Sequence, residues 1–365
     1  MKKLCYILPE YKEDDATHFA YLGDFIKEIS KQFDVYLIVE KGVLPPPDWG
    51  YKKVRKLFFS FVPLRFLELF LLASFARMVR YKDFYVHYAF DGALVTSVIV
   101  RLFGGRVFYW NCGEPWKYKR NFLREMWEKK VYKLITYLVT GTEKLAMQYS
   151  SHYGIPMAKI KVMPNWINLT KAQKHESTRT KKQELNVGEI QKVLLFVHRL
   201  SERKGASYLP EILRELREEN IVLIVAGDGP ERAKIESRVK TYELENKIRF
   251  LGWVPQGETV KYYAIADVLV MPSNEEGFPH VLLEAMAAGV PFVASDVGSV
   301  AEIVPVSMRS YVVSPGNVKD FAVKIKELLT KDRSALEILS SELLEFVKKY
   351  DIKYAVEVFK KIIND

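Results

Sequence analysis

Cysteine is nearly absent. Cys5 and Cys112 are the two thiols in 365 residues, too few for a disulfide framework or a thiolate zinc cluster, and their scarcity suits a reducing compartment. Long uncharged apolar runs are missing as well. The greasiest stretch, Leu57 to Val79, is broken by Pro63, Arg65, Glu68 and Arg77 and leaves Leu69 to Ala76 as its longest uncharged run. A membrane span needs about 20 predominantly apolar residues, so a largely buried helix is expected there, with an interfacial role for its exposed edge as the second reading. Lys2 and Lys3 open the chain, but Glu10, Lys12 and Glu13 interrupt the apolar run behind them, and no secretory leader is expected. Low-complexity tracts are also lacking. With 49% apolar, 27% charged and 13% aromatic residues, the composition excludes wholesale disorder.

What is present divides unevenly. The length exceeds the size at which one core stops growing, so two domains are expected. Residues 1–170 hold 26 Lys and Arg against 16 Asp and Glu, while the remainder holds 29 against 29, so the whole excess of +10 lies in the first half. Its densest part runs from Trp116 to Lys133, where Lys117, Lys119, Arg120, Arg124, Lys129, Lys130 and Lys133 alternate with Tyr118, Phe122, Trp127 and Tyr132. Two readings fit: a solvated helix face, or a surface that meets anionic lipid headgroups or another polyanion.

Short β-branched and aromatic runs alternate with helical stretches. Leu4–Leu8, Val35–Val39, Phe84–His87, Val107–Trp110, Tyr137–Thr140 and Ile160–Met163 read as strands, and the pattern restarts with Val193–Val197, Val222–Ala226, Ile248–Leu251, Val268–Met271, Pro291–Ala294 and Tyr311–Val313. The class is α/β, two parallel-sheet units in series. A domain over 1–170, a polar linker over 171–190 and a second domain over 191–345 follow. An amphipathic terminal stretch over 346–365 could pack back on the first domain.

Chemistry concentrates in the second half. After the strand Val268–Met271 come Glu276, Gly277, Phe278, Pro279, His280 and Val281, then Glu284 on the following helix. The unbonded amides opening that helix, with its positive dipole end, favour a phosphate, and Gly277 lets backbone approach it. Arg199 and Lys204 follow the strand Val193–Val197. Two cations at a sheet's carboxyl edge suit a departing diphosphate, whose developing charge must be stabilised; a pair of solvated surface cations is the plain alternative. Gly227-Asp228-Gly229-Pro230 is a tight turn.

Together these residues resemble the donor domain of the retaining glycosyltransferases of family 4. The pieces that carry the likeness are Glu276 with Glu284, Arg199 with Lys204, Gly227 to Pro230, and Ser295-Asp296-Val297-Gly298 followed by Glu302; Met163 to Asn168 and Thr140 to Glu143 add weaker matches. The resemblance implies the GT-B fold, two facing Rossmann-like domains with parallel sheets and an interdomain cleft. It implies a nucleotide-sugar as co-substrate and no cofactor. Arg199 and Lys204 would bind the diphosphate, Glu284 the ribose hydroxyls, and Glu276 would lie beside the transferred sugar. Gly227 and the segment Gly277 to Val281 would complete the donor contacts. No Asp-x-Asp triplet occurs in the chain, and the family implies no metal site, with Arg199 and Lys204 neutralising the diphosphate instead. Configuration would be retained by front-face departure and attack.

Two departures from the family pattern and one further histidine shape the acceptor side. Pro9 to His18 replaces a Gly-Gly loop, which leaves His18 as a candidate. Trp110-Asn111-Cys112 stands where a histidine is usual, making Asn111 the substitute catalytic and acceptor candidate. His87, ending a strand, is a third acceptor-side candidate, a core histidine being the plainer reading. The favoured function is transfer of a sugar to a lipid-linked or saccharide acceptor, in the cytoplasm at the inner face of an anionic membrane, with no nucleic-acid partner. A nucleotide-sugar epimerase of the same fold and a non-enzymatic polyanion binder are the alternatives.

Overall fold

The computed structural model describes residues 1–12, 21–117, 122–172 and 182–365. Two units form: Met1–Asn165 with Ile352–Asp365, and Trp166–Asp351. In the first, β1 (Lys2–Leu8), β2 (Phe33–Val39), β3 (Lys53–Lys56), β4 (Asp83–His87), β5 (Arg106–Trp110), β6 (Tyr137–Thr140) and β7 (Ile160–Val162) build a seven-stranded parallel sheet in the order β3-β2-β1-β4-β5-β6-β7. In the second, β8 (Lys192–Val197), β9 (Ile221–Ala226), β10 (Ile248–Gly252), β11 (Val268–Met271), β12 (Phe292–Ser295) and β13 (Val312–Val313) give the order β10-β9-β8-β11-β12-β13, again parallel. The inner strands are buried without alternation, Leu4 to Leu8 and Ile221 to Ala226 throughout. Helices on both faces of a parallel sheet require such continuous apolar runs.

Each order reverses once, between β1 and β4 and between β8 and β11. At such a point the connections leave in opposite directions, opening a crevice at the strands' carboxyl ends. The turn after β8 carries Arg199 and Lys204, and the loop after β11 carries Glu276.

Several expectations are corrected. β3 reads Lys-Val-Arg-Lys; as an edge strand it needs no apolar alternation, so the pattern hid it. The first unit ends at Asn165 rather than 170, and the Ile167 amide donates to the Tyr350 carbonyl at 2.9 Å. The terminal stretch divides: Val347–Tyr350 stays with the second unit, while the helix Ile352–Asn364 belongs to the first. There the Phe359 ring meets Phe25, Phe33 and Tyr85 at 5.3, 5.7 and 4.8 Å. The linker's residues 173–181, and residues 118–121 of the basic stretch, lie outside the described residues.

The largest correction concerns Leu57 to Val79. Its helix, Val62–Met78, fully buries Leu69, Ala73 and Ala76, a stripe of mostly small side chains that packs beside the helix Phe90–Phe103. Phe66, Phe70 and Leu72 pack half-buried beside that stripe, while Leu64, Leu67, Leu71, Phe75 and Met78 are exposed. Among the described residues no helix is long and apolar enough to cross a membrane.

Candidate functional site

Three turns of the second unit meet backbone to backbone. After β8 the chain takes a single 3-10 turn, Glu202–Lys204, and reverses at Gly205 with φ 63°. A Cβ there would lie 1.8 Å from the Pro272 carbonyl oxygen, so only glycine allows this turn to close on the β11 loop. The amides of Asn274 and Glu275 donate to the Arg203 carbonyl at 3.0 and 3.2 Å. Asn274 also donates to the Glu202 carbonyl at 2.7 Å and accepts from the Tyr208 hydroxyl at 3.0 Å. From the other side, Gly298 at φ 56° sits where a Cβ would lie 2.0 Å from the Glu276 carbonyl oxygen. The Ser299 amide donates to the Gly277 carbonyl at 3.0 Å.

This framework sets the charges. Lys204 Nζ donates to both carboxylate oxygens of Glu276 at 2.7 Å, and the buried Ser273 hydroxyl donates to Oε1 at 2.8 Å. Glu276 is only 7% exposed. Burial pushes its pKa upward, but the Lys204 charge and the hydrogen bonds from Lys204 and Ser273 hold it below the usual value. The carboxylate is therefore ionised, and two of the three N–H donors of Lys204 are engaged, leaving one for a ligand. His198 Nε2 lies 3.3 Å from Glu276 Oε1. Burial first, then the Lys204 charge, pushes the imidazole down to about 3; His198 is neutral, and the cluster balances one cation against one anion.

Arg199 stands exposed beside it, and among the described residues it makes no hydrogen bond or ion pair. The helix His280–Ala287 begins after Pro279, which offers no side-chain cap, so no capping side chain from that position competes for the amides of its first turn. Phe278 is buried, its ring 5.7 Å from that of Tyr350, and His280 and Val281 open the helix. Glu284, half-buried one turn in, accepts from the Tyr263 hydroxyl at 2.7 Å.

Gly227 has a backbone task. At φ 154° its Cβ would fall 1.9 Å from the His198 carbonyl oxygen, its amide donates to the Gly252 carbonyl at 2.8 Å, and the Leu200 amide donates to the Asp228 carbonyl at 3.0 Å. The glycine-rich turn thus fixes the segment that carries Arg199.

The first-unit candidates fare differently. His18 lies outside the described residues. His87 is 1% exposed, Nδ1 3.0 Å from the Tyr6 hydroxyl and its ring stacked on Trp110 at 5.6 Å. His87 is thus buried among aromatic rings of the first unit, in keeping with the plainer reading of a core histidine. Asn111 donates to the Tyr132 hydroxyl at 3.1 Å and accepts from the Gly113 amide at 2.9 Å, so its amide group shapes the turn after β5. Sequence reasoning gave no role to His198, Gly205, Tyr263 and Ser273, and quoted Gly298 without its backbone task. The two glycines carried a signal, since each sits in a loop following a strand; the other three became visible only through their partners.

Residues 177–342 match the family model described as glycosyl transferases group 1. An uncharacterized glycosyltransferase of Methanocaldococcus jannaschii is 32% identical over 231 residues, covering 61% of this chain and 59% of its own. A 2-deoxystreptamine N-acetyl-D-glucosaminyltransferase of Niallia circulans is 30% identical over 161 residues, covering 44% and 41%. The chain thus spans about half the length of the curated relatives it matches. Among solved structures, the Anabaena protein HepE in complex with UDP and glucose superposes over 100% of both chains with a TM-score of 0.83 at 17% identity. The fold is that of the GT-B glycosyltransferases, two α/β domains with parallel sheets.

Proposed function

We propose that the protein is a retaining glycosyltransferase that moves a sugar from a nucleotide-sugar to a lipid-linked or saccharide acceptor. The observation that carries this reading is the Lys204–Glu276 pair at 2.7 Å, which brings a cation and a carboxylate to the edge of the second sheet where the His280–Ala287 helix starts. Arg199, the third donor of Lys204 and the amides of Phe278, His280 and Val281 take the diphosphate, and Glu284 takes the ribose hydroxyls. Negative charge grows on the phosphate oxygen as the bond from the sugar's anomeric carbon breaks, and fixed donors aimed at that oxygen lower the barrier most. The acceptor oxygen bonds to the same carbon from the same face, and its proton passes to the departing phosphate. Ionised and fully bonded, Glu276 orients Lys204 and faces the sugar rather than acting as a base. The cations neutralise the diphosphate in this proposal, with no metal assigned. The match to the group 1 family model and the UDP-bound structural neighbour support the donor class.

A thermal-shift screen of UDP-, GDP- and ADP-sugars tests it. One donor should stabilise the protein, since a ligand at a hundred times its dissociation constant adds about 2.7 kcal/mol, and Arg199→Ala should abolish the shift without changing the ligand-free melting temperature. Undiminished donor binding in that variant sinks the assignment of Arg199. Conversion of the donor alone to an epimer would replace transfer with epimerisation.

A further inference from the structure

The helix Val62–Met78 turns Leu64, Leu67, Leu71, Phe75 and Met78 outward. Their spacing of three and four residues is one helical face, and that face, 41% exposed at Leu64 and 81% at Met78, contains no charged residue. Phe58, Phe59, Phe61 and Val62 extend it beyond the helix start. Such a contiguous apolar strip on a protein surface marks a place of contact.

Its borders are basic. Lys52, Lys53, Arg55 and Lys56, on and beside the edge strand β3, are exposed, and Lys53 Nζ lies 6.0 Å from the Phe75 ring centre. None of the four has an ion-pair partner among the described residues. Between Asp48 and Asp83 the sequence has a single acid, Glu68. Its carboxylate accepts the amides of Phe58, at 2.8 and 2.9 Å, and Phe59, at 3.1 Å, and forms no ion pair with the rim among the described residues. That clamp fixes the backbone carrying the two exposed rings before any partner arrives, which reduces the ordering cost of contact.

We propose that this strip and its β3 rim form the surface by which the protein docks on an anionic lipid bilayer. Apolar side chains enter the headgroup boundary while the lysines and arginine meet lipid phosphates, the pattern of a helix lying in the interface plane. Charge selects this occupant. A second copy packing the same face through a two-fold axis would bring two unpaired basic rims together, and a soluble polyanion has no use for an apolar face. The proposal does not depend on the transferase reading.

Sedimentation of the full chain with phosphatidylcholine vesicles, with and without phosphatidylglycerol, tests it. Binding is expected only with the anionic lipid. Lys53→Glu with Lys56→Glu, and separately Leu71→Ser with Phe75→Ser, should each weaken it about tenfold or more, with melting temperatures unchanged because all four positions are solvent-facing. Leu71→Trp should shift its emission to the blue on anionic vesicles. Absence of binding at low salt overturns the proposal. So does unchanged binding in the Leu71/Phe75 variant, or a protein dimer that this variant dissolves.

Discussion

Lys204 and Glu276 hold each other at 2.7 Å in a setting where each is less than a sixth exposed, and that coupling decides how either can be probed. Removing one partner of a buried pair strands the other charge, at a cost of about 3–5 kcal/mol. Lys204→Ala should therefore lose both donor binding and stability, a result that by itself confuses the two roles. Lys204→Met combined with Glu276→Gln should recover most of the stability in urea unfolding while transfer and donor binding stay lost. Recovery of activity in the double variant would contradict the assigned roles. A second buried carboxylate, Glu40 after β2, behaves oppositely. Burial first, then the Asp91 charge, pushes it up to about 8, with Arg65 offsetting only part. Because its folded value lies above its unfolded one, the native state holds the extra proton, and its contribution to stability is complete below pH 4.5 and lost as pH rises through 8. Glu40→Gln should flatten the decline in urea midpoint between pH 5 and pH 8 and stabilise the protein above pH 8. An unchanged slope would remove Glu40 as its source.

At the scale of elements, helices are placed by which stripe the sheet needs. The Ile352–Asn364 helix buries Ala355, Val356, Phe359, Ile362 and Ile363, and Arg106 donates to the Ile363 carbonyl at 2.6 Å, so this last helix completes the core under β1, β2 and β4. Phe359→Ala should cost about 3–5 kcal/mol, read by hydrogen exchange as lost protection in β1, β2 and β4 with β8, β9 and β11 unchanged; equal loss in both sheets would place the helix elsewhere. The Val62–Met78 helix shows the opposite case. Leu69, Ala73 and Ala76 make its buried contact, with Phe66, Phe70 and Leu72 packed beside them, so Leu64, Leu67, Leu71 and Phe75 are left exposed. Composition alone suggests burial for such a segment, because hydropathy reports how apolar a helix is and not which side finds a neighbour. The polar edge strand β3 escaped notice for the complementary reason: a strand paired on one side carries little apolar pattern.

Across the whole molecule, the repeated alternation of strand and helix, the α/β class and the segments bearing the candidate site were legible in the sequence. Strand runs, glycines in turns and the amides of a helix start are local features with local signatures. Strand order is not local. That β8 neighbours β11 rather than β10, and so sets the Lys204 turn against the Glu276 loop, follows from long connections whose path is fixed by how two sheets and their helices fill space. The sequence by itself determined which ionisable groups are present and where the backbone can bend. Tertiary structure alone decided that Lys204 is paired and Arg199 exposed, that His87 lies under aromatic rings, and that an apolar helix face stays in solvent. Those outcomes depend on neighbours distant along the chain, whose approach is governed by packing and not by any pattern a single segment contains.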